Sequence, residues 1–149
     1  MAQGAQQIGG EMKKKTIHEL QVGDQASTKV IITEDLVKQF ADVSGDKNPV
    51  HLDEEYASAT PFKSRIAHGM LVGSLFSTLL GTELPGEGTI YLEQNLRFTK
   101  PVYLGDEITA SVTVRELVTD KNRVLLDTVA TNQRDEVVIT GTAGVLAPR

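Results

Sequence analysis

Apolar and polar residues alternate with a period of two along most of the second half of the chain. Such alternation, together with many β-branched residues, is typical of half-buried strands. The strands predicted from these two signals, one of them early in the chain, lie at 26–32, 90–98, 108–114, 124–130 and 137–145. Three short connections occur between them, at 104–106, 119–122 and 134–135. Connections this short predict that consecutive strands are antiparallel neighbours in one sheet.

Helical spacing appears in two places. After Thr33, a candidate N-cap, three apolar residues recur at this spacing, namely Leu36, Phe40 and Val43. They predict a helix of about three turns that ends near Gly45, because glycine suits a left-handed cap. A short helix is also predicted at 53–59. The run LVGSLFSTLLGTEL at 71–84 is apolar on nearly every face, and a helix with that pattern is a buried one.

These elements predict an α+β domain in which one antiparallel sheet is wrapped around a long central helix. With 149 residues, the chain has the size of a single ordinary domain. Residues 1–11 are rich in Gln, Gly and Ala and precede a second methionine, Met12. We interpret them as a disordered extension or an expression remnant, so the predicted domain covers 12–149.

Composition excludes several classes of protein. A net charge of -5, with no basic block beyond the three lysines at 13–15, argues against nucleic acid as a partner. The absence of cysteine excludes disulfides, thiolate nucleophiles and Cys-ligated zinc. The most apolar stretch, 69–84, is shorter than the roughly 20 residues that span a bilayer, and the first ten residues lack the apolar core of a secretory signal. We therefore expect a soluble, cytoplasmic protein without a membrane partner.

The candidate chemistry lies in FADVSGDKNPVHLD at 40–53. Asp46 and His51 flank an Asn48-Pro49 turn, and the residue before a proline is driven towards extended geometry, so the chain must bend here. A bend can direct both side chains into one cavity. A carboxylate and an imidazole placed together could move one proton off water and another onto carbon. The alternative is a helix end followed by an ordinary polar turn.

Three segments carry a resemblance to a known family: SGDKNPVHLD at 44–53, IAHGMLVGSLFSTLLG at 66–81 and RFTKPVYLGDEI at 97–108. In this order they resemble the hotdog fold and, more narrowly, the MaoC-like dehydratases, which include the R-specific enoyl-CoA hydratases. The resemblance covers roughly 26–146. Three motifs in one order arise by chance far less easily than any one of them, which favours the functional interpretation of the turn.

The resemblance implies an enzyme, a hydro-lyase of acyl-CoA metabolism. Asp46 and His51 match the catalytic pair, which holds a water that adds to C3 of a trans-2-enoyl thioester and gives the (R)-3-hydroxyacyl thioester. Dehydration is the reverse reaction. The family's oxyanion donor corresponds to the backbone N–H of Gly69, at the start of the central helix. No metal or redox cofactor is implied, since coenzyme A is part of the substrate.

Three further residues could support the site. Ser74 and His68 match residues of the family, whereas Asn48 is a candidate because of its side-chain amide. Ser74 either supports the site or is a small residue needed for close packing. Asn48 either orients the catalytic pair or is an ordinary turn residue. His68 is expected to have a structural or orienting role, because the acid and base are already assigned.

A metal site is conceivable on four residues: His51, Asp53, Glu54 and His68. No paired histidines at helical spacing and no compact ligand motif support it, so we predict no metal.

The negative net charge requires local cations for the phosphates of coenzyme A. The candidates are Lys63, Arg65, Arg97 and Lys100, and each is equally interpretable as a solvated surface cation. The family also implies a homodimer or larger homo-oligomer, with sheets joined edge to edge and the substrate tunnel at the interface.

Three other functions are compatible with such a domain. The nearest is a (3R)-hydroxyacyl-[acyl carrier protein] dehydratase, which performs the same chemistry on another carrier. A hotdog acyl-CoA thioesterase is disfavoured because the hydratase motif is complete. A noncatalytic acyl-thioester-binding protein is disfavoured because both proton-transfer residues are present.

Overall fold

The computed structural model describes residues 12–149, so the prediction for residues 1–11 lies outside the described part of the chain. Five strands form one antiparallel sheet: β1 (Gln25–Ile31), β2 (Ile90–Phe98), β3 (Glu107–Val118), β4 (Arg123–Thr131) and β5 (Val137–Leu146). The helices are α1 (Glu34–Ser44), α2 (Pro49–Leu52), α3 (Glu54–Ser58) and α4 (Gly69–Thr82). Every predicted strand and helix is present, and the α+β class is confirmed.

The strand order is β1-β3-β4-β5-β2, which corrects one part of the predicted topology. Strands β3, β4 and β5 are consecutive neighbours, as their short connections indicated. The expected pairing of β2 with β3 is wrong, because both edges of β3 are occupied. Ala110 in β3 lies opposite Thr28 of β1 on one side and opposite Ala130 of β4 on the other. Residues 99–106 instead carry the chain from the β2 edge past two strands.

Helix α1 has the predicted boundaries for the expected reasons. The Thr33 hydroxyl accepts a hydrogen bond from the Leu36 N–H at 3.1 Å, which satisfies a donor that the first helical turn leaves free. Gly45 ends the helix at φ 80°, in the left-handed region that glycine adopts without penalty. The chain is therefore released from the helix immediately before Asp46.

Helix α4 is buried on one face only. Four of its side chains belong to one core with the inward positions of β3, β4 and β5: Val72, Phe76, Leu79 and Leu80. On the opposite face Met70 is 58% exposed, and Ser74 and Ser77 are exposed. The prediction of a helix buried on all sides is thus wrong for the single chain, because no described element covers this outer face. Within residues 12–149, no helix is both long enough and apolar enough to cross a membrane.

A segment before β1 closes the C-terminal end of α4. The Lys13 N–H donates to the Thr82 carbonyl at 3.0 Å, and the Lys15 N–H donates to the Pro85 carbonyl at 2.8 Å. Gly86 makes this approach possible, because a Cβ there would lie 1.9 Å from the Lys13 carbonyl oxygen. These bonds satisfy carbonyl groups that a helix end would otherwise leave without partners.

We predict that a chain starting at Met12 melts at the same temperature as the full chain, because it keeps every contact described above. Starting the chain at Thr16 removes the backbone bonds to the end of α4. At about 1 kcal/mol each, their loss should lower Tm by roughly 5–10 °C. Thermal unfolding followed by circular dichroism measures both effects.

The matched control is the Lys13→Ala/Lys15→Ala double variant, which keeps the backbone bonds and removes only two ion pairs, each with an exposed lysine and a partly buried carboxylate. Pairs with a solvated cation contribute little, so its Tm should stay close to that of the full chain. A chain from Thr16 with an unchanged Tm would contradict the role given to this segment.

Candidate active site

A cavity of about 560 Å³ opens where α1, α2, the start of α4 and the end of β2 meet. Its polar lining consists of Ser44, Asp46, His51, His68 and Lys100. The remaining lining is mostly apolar and aromatic: Phe40, Phe62, Ile66, Ala67, Met70, Phe98 and Pro101, beside Gly69. A mainly apolar cleft with a few convergent polar groups is typical of a small-molecule site.

The turn that carries the pair is held by its own polar groups. The Ser44 hydroxyl accepts from the Asp46 N–H at 3.1 Å, and the Asn48 N–H donates to the Asp46 carboxylate at 3.2 Å. The Asn48 side-chain oxygen accepts from the Val50 N–H at 3.2 Å and so caps α2. Asn48 therefore acts as a turn residue through its side chain, and it reaches Asp46 through its backbone rather than through its amide group.

The bend brings Asp46 and His51 together as predicted. One polar atom from each, together with one from His68, lies within 4.8 Å of the other two. Two hydrogen bonds of about 2.8 Å can span such a gap, so a single water can contact both the carboxylate and the imidazole.

His51 is 8% exposed, and its Nδ1 lies 2.7 Å from the Ile66 carbonyl oxygen. A carbonyl can only accept, so Nδ1 carries the hydrogen and Nε2 keeps a free lone pair. Burial lowers the pKa of His51 below its ordinary value; the Ile66 carbonyl and Asp46 oppose that shift, and nearby His68 adds to it. The imidazole is therefore neutral near pH 7, in the form that can accept a proton.

Arg65 holds the backbone of this site. Its Nε donates to the His51 carbonyl at 2.8 Å, and its Nη1 pairs with Glu34 on α1 at 3.0 Å. The Arg65 side chain is only 12% exposed. Sequence reasoning offered it as a phosphate ligand, but two of its three nitrogens bind groups of the fold, and the third, Nη2, is shielded from solvent.

The other three cations differ in their relation to the cavity. Lys100 lines it and lies 3.2 Å from Glu136. Lys63 and Arg97 are exposed and do not belong to its lining. Lys100 is thus the one candidate of the four that is both exposed and on the cavity wall.

His68 stacks on His51, with ring centroids 3.8 Å apart and ring planes inclined by 27°. Its Nε2 lies 2.9 Å from the backbone carbonyl oxygen of Asp46, and the residue is 2% exposed. The expected structural or orienting role is consistent with this position. His68 is also the N-cap residue of α4, so it links the start of that helix to the turn.

Gly69 is the first residue of α4 and lines the same cavity. Its N–H precedes the intrahelical ladder, and among the described residues no acceptor takes it. Phe98 leaves no free space for a side chain at this position, because a Cβ on Gly69 would lie 2.5 Å from the Phe98 ring.

Ser74, by contrast, does not contribute to the cavity. It is exposed, donates to the Leu71 carbonyl at 2.6 Å and is absent from the cavity lining.

Sequence reasoning missed Phe98 and the structural role of Arg65. Phe98 belongs to the RFTKPV segment that was singled out, but a strand pattern gives no sign that its last ring reaches the start of a distant helix. The signal for Arg65 was equally weak, since its partner Glu34 lies 31 positions earlier in the chain.

The four residues considered for a metal do not form one set. Asp53 caps α3 through the Tyr56 N–H, and Glu54 accepts from Ser64. The compact set is Asp46, His51 and His68, but the two stacked rings face each other. Imidazole lone pairs lie in the ring planes, and nearly parallel planes do not converge on one ion as a tetrahedral site requires.

Comparison with known proteins places this geometry in context. The family model described as a MaoC like domain matches residues 14–137. An (R)-specific enoyl-CoA hydratase from Rhodospirillum rubrum is 46% identical over 130 residues, which are 87% of this chain and 90% of that protein. A mitochondrial 3-hydroxyacyl-[acyl-carrier-protein] dehydratase from Arabidopsis thaliana is 39% identical over 133 residues, 87% of this chain and 78% of the relative.

A solved structure is similar over nearly the whole chain. The R-hydratase PhaJ1 from Pseudomonas aeruginosa, in its unliganded form, superposes with a TM-score of 0.89 at 48% sequence identity, covering 94% of this chain and 90% of that one. The predicted hotdog architecture is thereby confirmed. The family match at 14–137 includes all three motifs, 44–53, 66–81 and 97–108.

We predict that Gly69→Ala destabilises the protein by about 1 kcal/mol, because the new methyl group displaces the Phe98 ring. Gly81→Ala is the control on the same helix: a Cβ there meets nothing within 4 Å, and the change should be neutral or stabilising by up to roughly 1 kcal/mol. A double-mutant cycle with Phe98→Ala, measured by urea unfolding, should show that most of the Gly69→Ala loss disappears. Equal effects of Gly69→Ala and Gly81→Ala would contradict the contact.

Proposed function

The chain belongs to the MaoC-like dehydratase family, and from this premise we propose that it is an R-specific enoyl-CoA hydratase. The reaction is the reversible hydration of trans-2-enoyl-CoA to (R)-3-hydroxyacyl-CoA. The observation that carries the proposal is the meeting of the Asp46 carboxylate, the neutral His51 imidazole and the free Gly69 N–H around one apolar cavity. Relatives of 46–48% identity bear the name of this activity.

The first step is the positioning of water. The Asp46 carboxylate and the His51 Nε2 are both acceptors, so one water between them donates a hydrogen to each. Its oxygen lone pair then faces outward, towards C3 of the enoyl group. Holding the nucleophile in this way replaces a bimolecular encounter with an oriented one.

Addition moves charge in two directions. As the water oxygen bonds to C3, the π electrons of the alkene shift to C2 and onto the thioester oxygen, which becomes enolate-like. The Gly69 N–H, reinforced by the dipole of α4, stabilises that oxygen. His51 Nε2 takes the released proton and is supported as an imidazolium by the adjacent Asp46 carboxylate.

Protonation completes the reaction. The proton passes from His51 to C2, the electrons of the enolate form the C2–H bond, and the thioester carbonyl is restored. One water thus supplies both the hydroxyl at C3 and the hydrogen at C2. The addition of water is redox-neutral overall, so the reaction needs no oxidant or reductant. We propose that neither a metal nor a redox cofactor takes part.

The apolar wall of the cavity suits the acyl chain. Phe40, Phe62 and Phe98 offer aromatic surface beside the polar pair, and the exclusion of bulk water strengthens the hydrogen bonds to the developing charge. Lys100 is our preferred candidate for a contact with the anionic carrier. The expected cytoplasmic location stays a prediction.

One alternative has its own support. The Arabidopsis relative named for acyl-carrier-protein dehydration is 39% identical, and the same chemistry would serve either carrier. Comparing kcat/KM for crotonyl-CoA and for crotonyl-acyl carrier protein separates the two. The same assay would reveal a thioesterase through release of free thiol, and a noncatalytic binding protein through tight binding without turnover.

We further propose that the protein works as a homodimer or larger homo-oligomer. Strand β2 is one of the two edges of the sheet, and three of its apolar side chains are 40–55% exposed: Ile90, Tyr91 and Leu92. An open edge of this kind presents unpaired backbone groups and apolar surface. A second copy that adds its own β2 would cover both, together with the exposed face of α4.

We predict that Asp46→Asn and His51→Ala each reduce hydration of crotonyl-CoA by about 10²–10⁴-fold, because the first removes the negative charge beside the water and the second removes the imidazole that takes its proton. Loss of absorbance of the conjugated thioester measures the rate. The double variant should be little worse than either single one, since the two groups act as a unit. Matched controls are Asp42→Asn and His18→Ala, which change exposed residues and should keep the wild-type rate. A folded Asp46 or His51 variant with near-normal turnover would refute the assignment.

Product configuration provides a second prediction. Crotonyl-CoA should give (R)-3-hydroxybutyryl-CoA, and in heavy water the hydroxyl and the deuterium should add to the same face of the alkene. The reason is that the shared water and the proton carrier lie on one side of a substrate that is fixed at Gly69. Chiral analysis and determination of the relative configuration at C2 and C3 test this. An S product would contradict the family assignment, whereas anti addition would contradict only the shared water.

Assembly provides the third prediction. Light scattering should give the mass of at least two 16.2 kDa chains. Leu92→Glu should dissociate the oligomer and lower activity, because a charge on β2 opposes burial of the edge. Val22→Glu is the control, since Val22 is 65% exposed but lies in a turn away from β2. A wild-type protein that is a fully active monomer would overturn the proposed interface.

A further inference from the structure

We propose that His68 is a positioning residue that holds both members of the catalytic pair in one geometry, Asp46 through its backbone and His51 through its ring. This inference rests on the proposed function, because it concerns the same pair. The buried His68 side chain makes two contacts, one with the Asp46 backbone and one with the His51 ring, and each has a separate consequence.

The first contact anchors Asp46. Residues 45–48 have no regular secondary structure, and Asp46 itself is exposed, so no sheet or helix ladder holds its backbone. His68 Nε2 lies 2.9 Å from the Asp46 carbonyl oxygen. Since a carbonyl only accepts, this nitrogen carries the hydrogen and donates it. The donor sits at the N-cap of α4, so it ties the turn to the most deeply packed helix.

The second contact fixes the plane of the His51 ring. A single hydrogen bond, from Nδ1 to the Ile66 carbonyl, still allows the ring to tilt about that bond. His68 removes this freedom by lying against the face of His51, with centroids 3.8 Å apart. The Phe40 ring packs beside the His68 ring, with ring centroids 4.9 Å apart. His68 is therefore held in place by an aromatic neighbour on helix α1, which packs against the core.

Both nitrogens of His68 are engaged or buried. Its Nε2 faces the Asp46 carbonyl, and its Nδ1 is shielded from solvent and has no hydrogen-bond partner among the described residues. The ring lines the cavity, but the acid and base roles already belong to Asp46 and His51. The effect of His68 on turnover is therefore indirect, through Asp46 and His51.

The same packing keeps His51 neutral. Four ionisable groups surround His51: Asp46 and His68 at its ring, Arg65 at its backbone carbonyl and Lys100 on the cavity wall. Burial is the main cause of its lowered pKa, and the His68 ring covers one face. Removing that ring admits water, and His51 should then bind a proton at higher pH.

Two conservative substitutions separate the contacts. His68→Gln can keep an N–H near the position of Nε2 and therefore the bond to Asp46, but it loses the stack. His68→Phe keeps a ring against His51 but loses the donor. His68→Ala loses both. We expect kcat for crotonyl-CoA to fall by about 10-fold in each of the first two and by about 10²-fold in His68→Ala, with KM changed less than about 2-fold.

The pH profile adds a readout that a purely structural role would not give. The acid limb of kcat/KM should move to higher pH in His68→Ala and in His68→Gln, because both uncover His51. It should move least in His68→Phe, which keeps the cover on His51 and loses only the smaller contribution of His68 to the lowered pKa. Far-UV circular dichroism and Tm establish that each variant is folded. Folded variants with wild-type kcat, or variants in which only KM rises, would overturn the inference.

Imidazole NMR titration tests the positioning without any turnover. The chain has three histidines, and exposed His18 serves as the internal reference. The pKa of His51 should rise in His68→Ala relative to the wild type and to His68→Phe, and an unchanged value would count against the inference. Wild-type protein that fails to hydrate any enoyl thioester would overturn the proposed function instead, while this titration would still decide whether His68 positions His51.

Discussion

The hydrogen bond from His51 Nδ1 to the Ile66 carbonyl, at 2.7 Å, governs what the cavity can do. It selects the tautomer that leaves Nε2 without a hydrogen, and a burial-lowered pKa keeps that nitrogen unprotonated near neutral pH. The carbonyl is itself fixed: the Ile66 N–H donates to Val50, and the next residue donates to Val102. The segment at 66–67 is thus bonded on both sides, so the acceptor that orients the imidazole belongs to a rigid part of the fold.

Other parts of the structure fix the backbone of His51 and the position of helix α4. Arg65 ties the His51 carbonyl to Glu34 at the start of α1. The opposite end of α4, which begins at the proposed oxyanion donor Gly69, is closed by backbone bonds from Lys13 and Lys15. A helix that is fixed at its far end presents Gly69 in one position. The proposed catalytic groups lie on a turn and at a helix terminus, where polar backbone is exposed, while the strands and α4 provide the fixed frame.

Local patterns in the sequence were sufficient for most of the helices and strands and for the meeting of Asp46 and His51 at one cavity. Thr33 and Gly45 are residue types whose backbone preferences define a helix start and end, and the Asn48-Pro49 bend is likewise a local property. Three features depend on contacts between distant segments and were not predictable. The pairing of β2 with β5 depends on which sheet edges are free, the use of Arg65 depends on Glu34, and the fit of Gly69 depends on Phe98. Asn48 and Ser74 showed why a matching residue type is insufficient, since the side chain of one caps a helix and that of the other lies off the cavity lining.

The sequence pattern of α4 predicts a helix that is buried on all sides, but one face of α4 is exposed in the single chain. A run that is apolar on nearly every face predicts burial on every side, yet Met70 is 58% exposed, and Met70 also lines the cavity. Phe98, at the end of the open edge strand, is half exposed and lines the same cavity. If the pattern of α4 reflects its environment in the assembled protein, the proposed second copy would supply the missing cover and would pass close to the site. On this view oligomerisation and catalysis are linked, because the surface that completes the fold also completes the wall around the substrate.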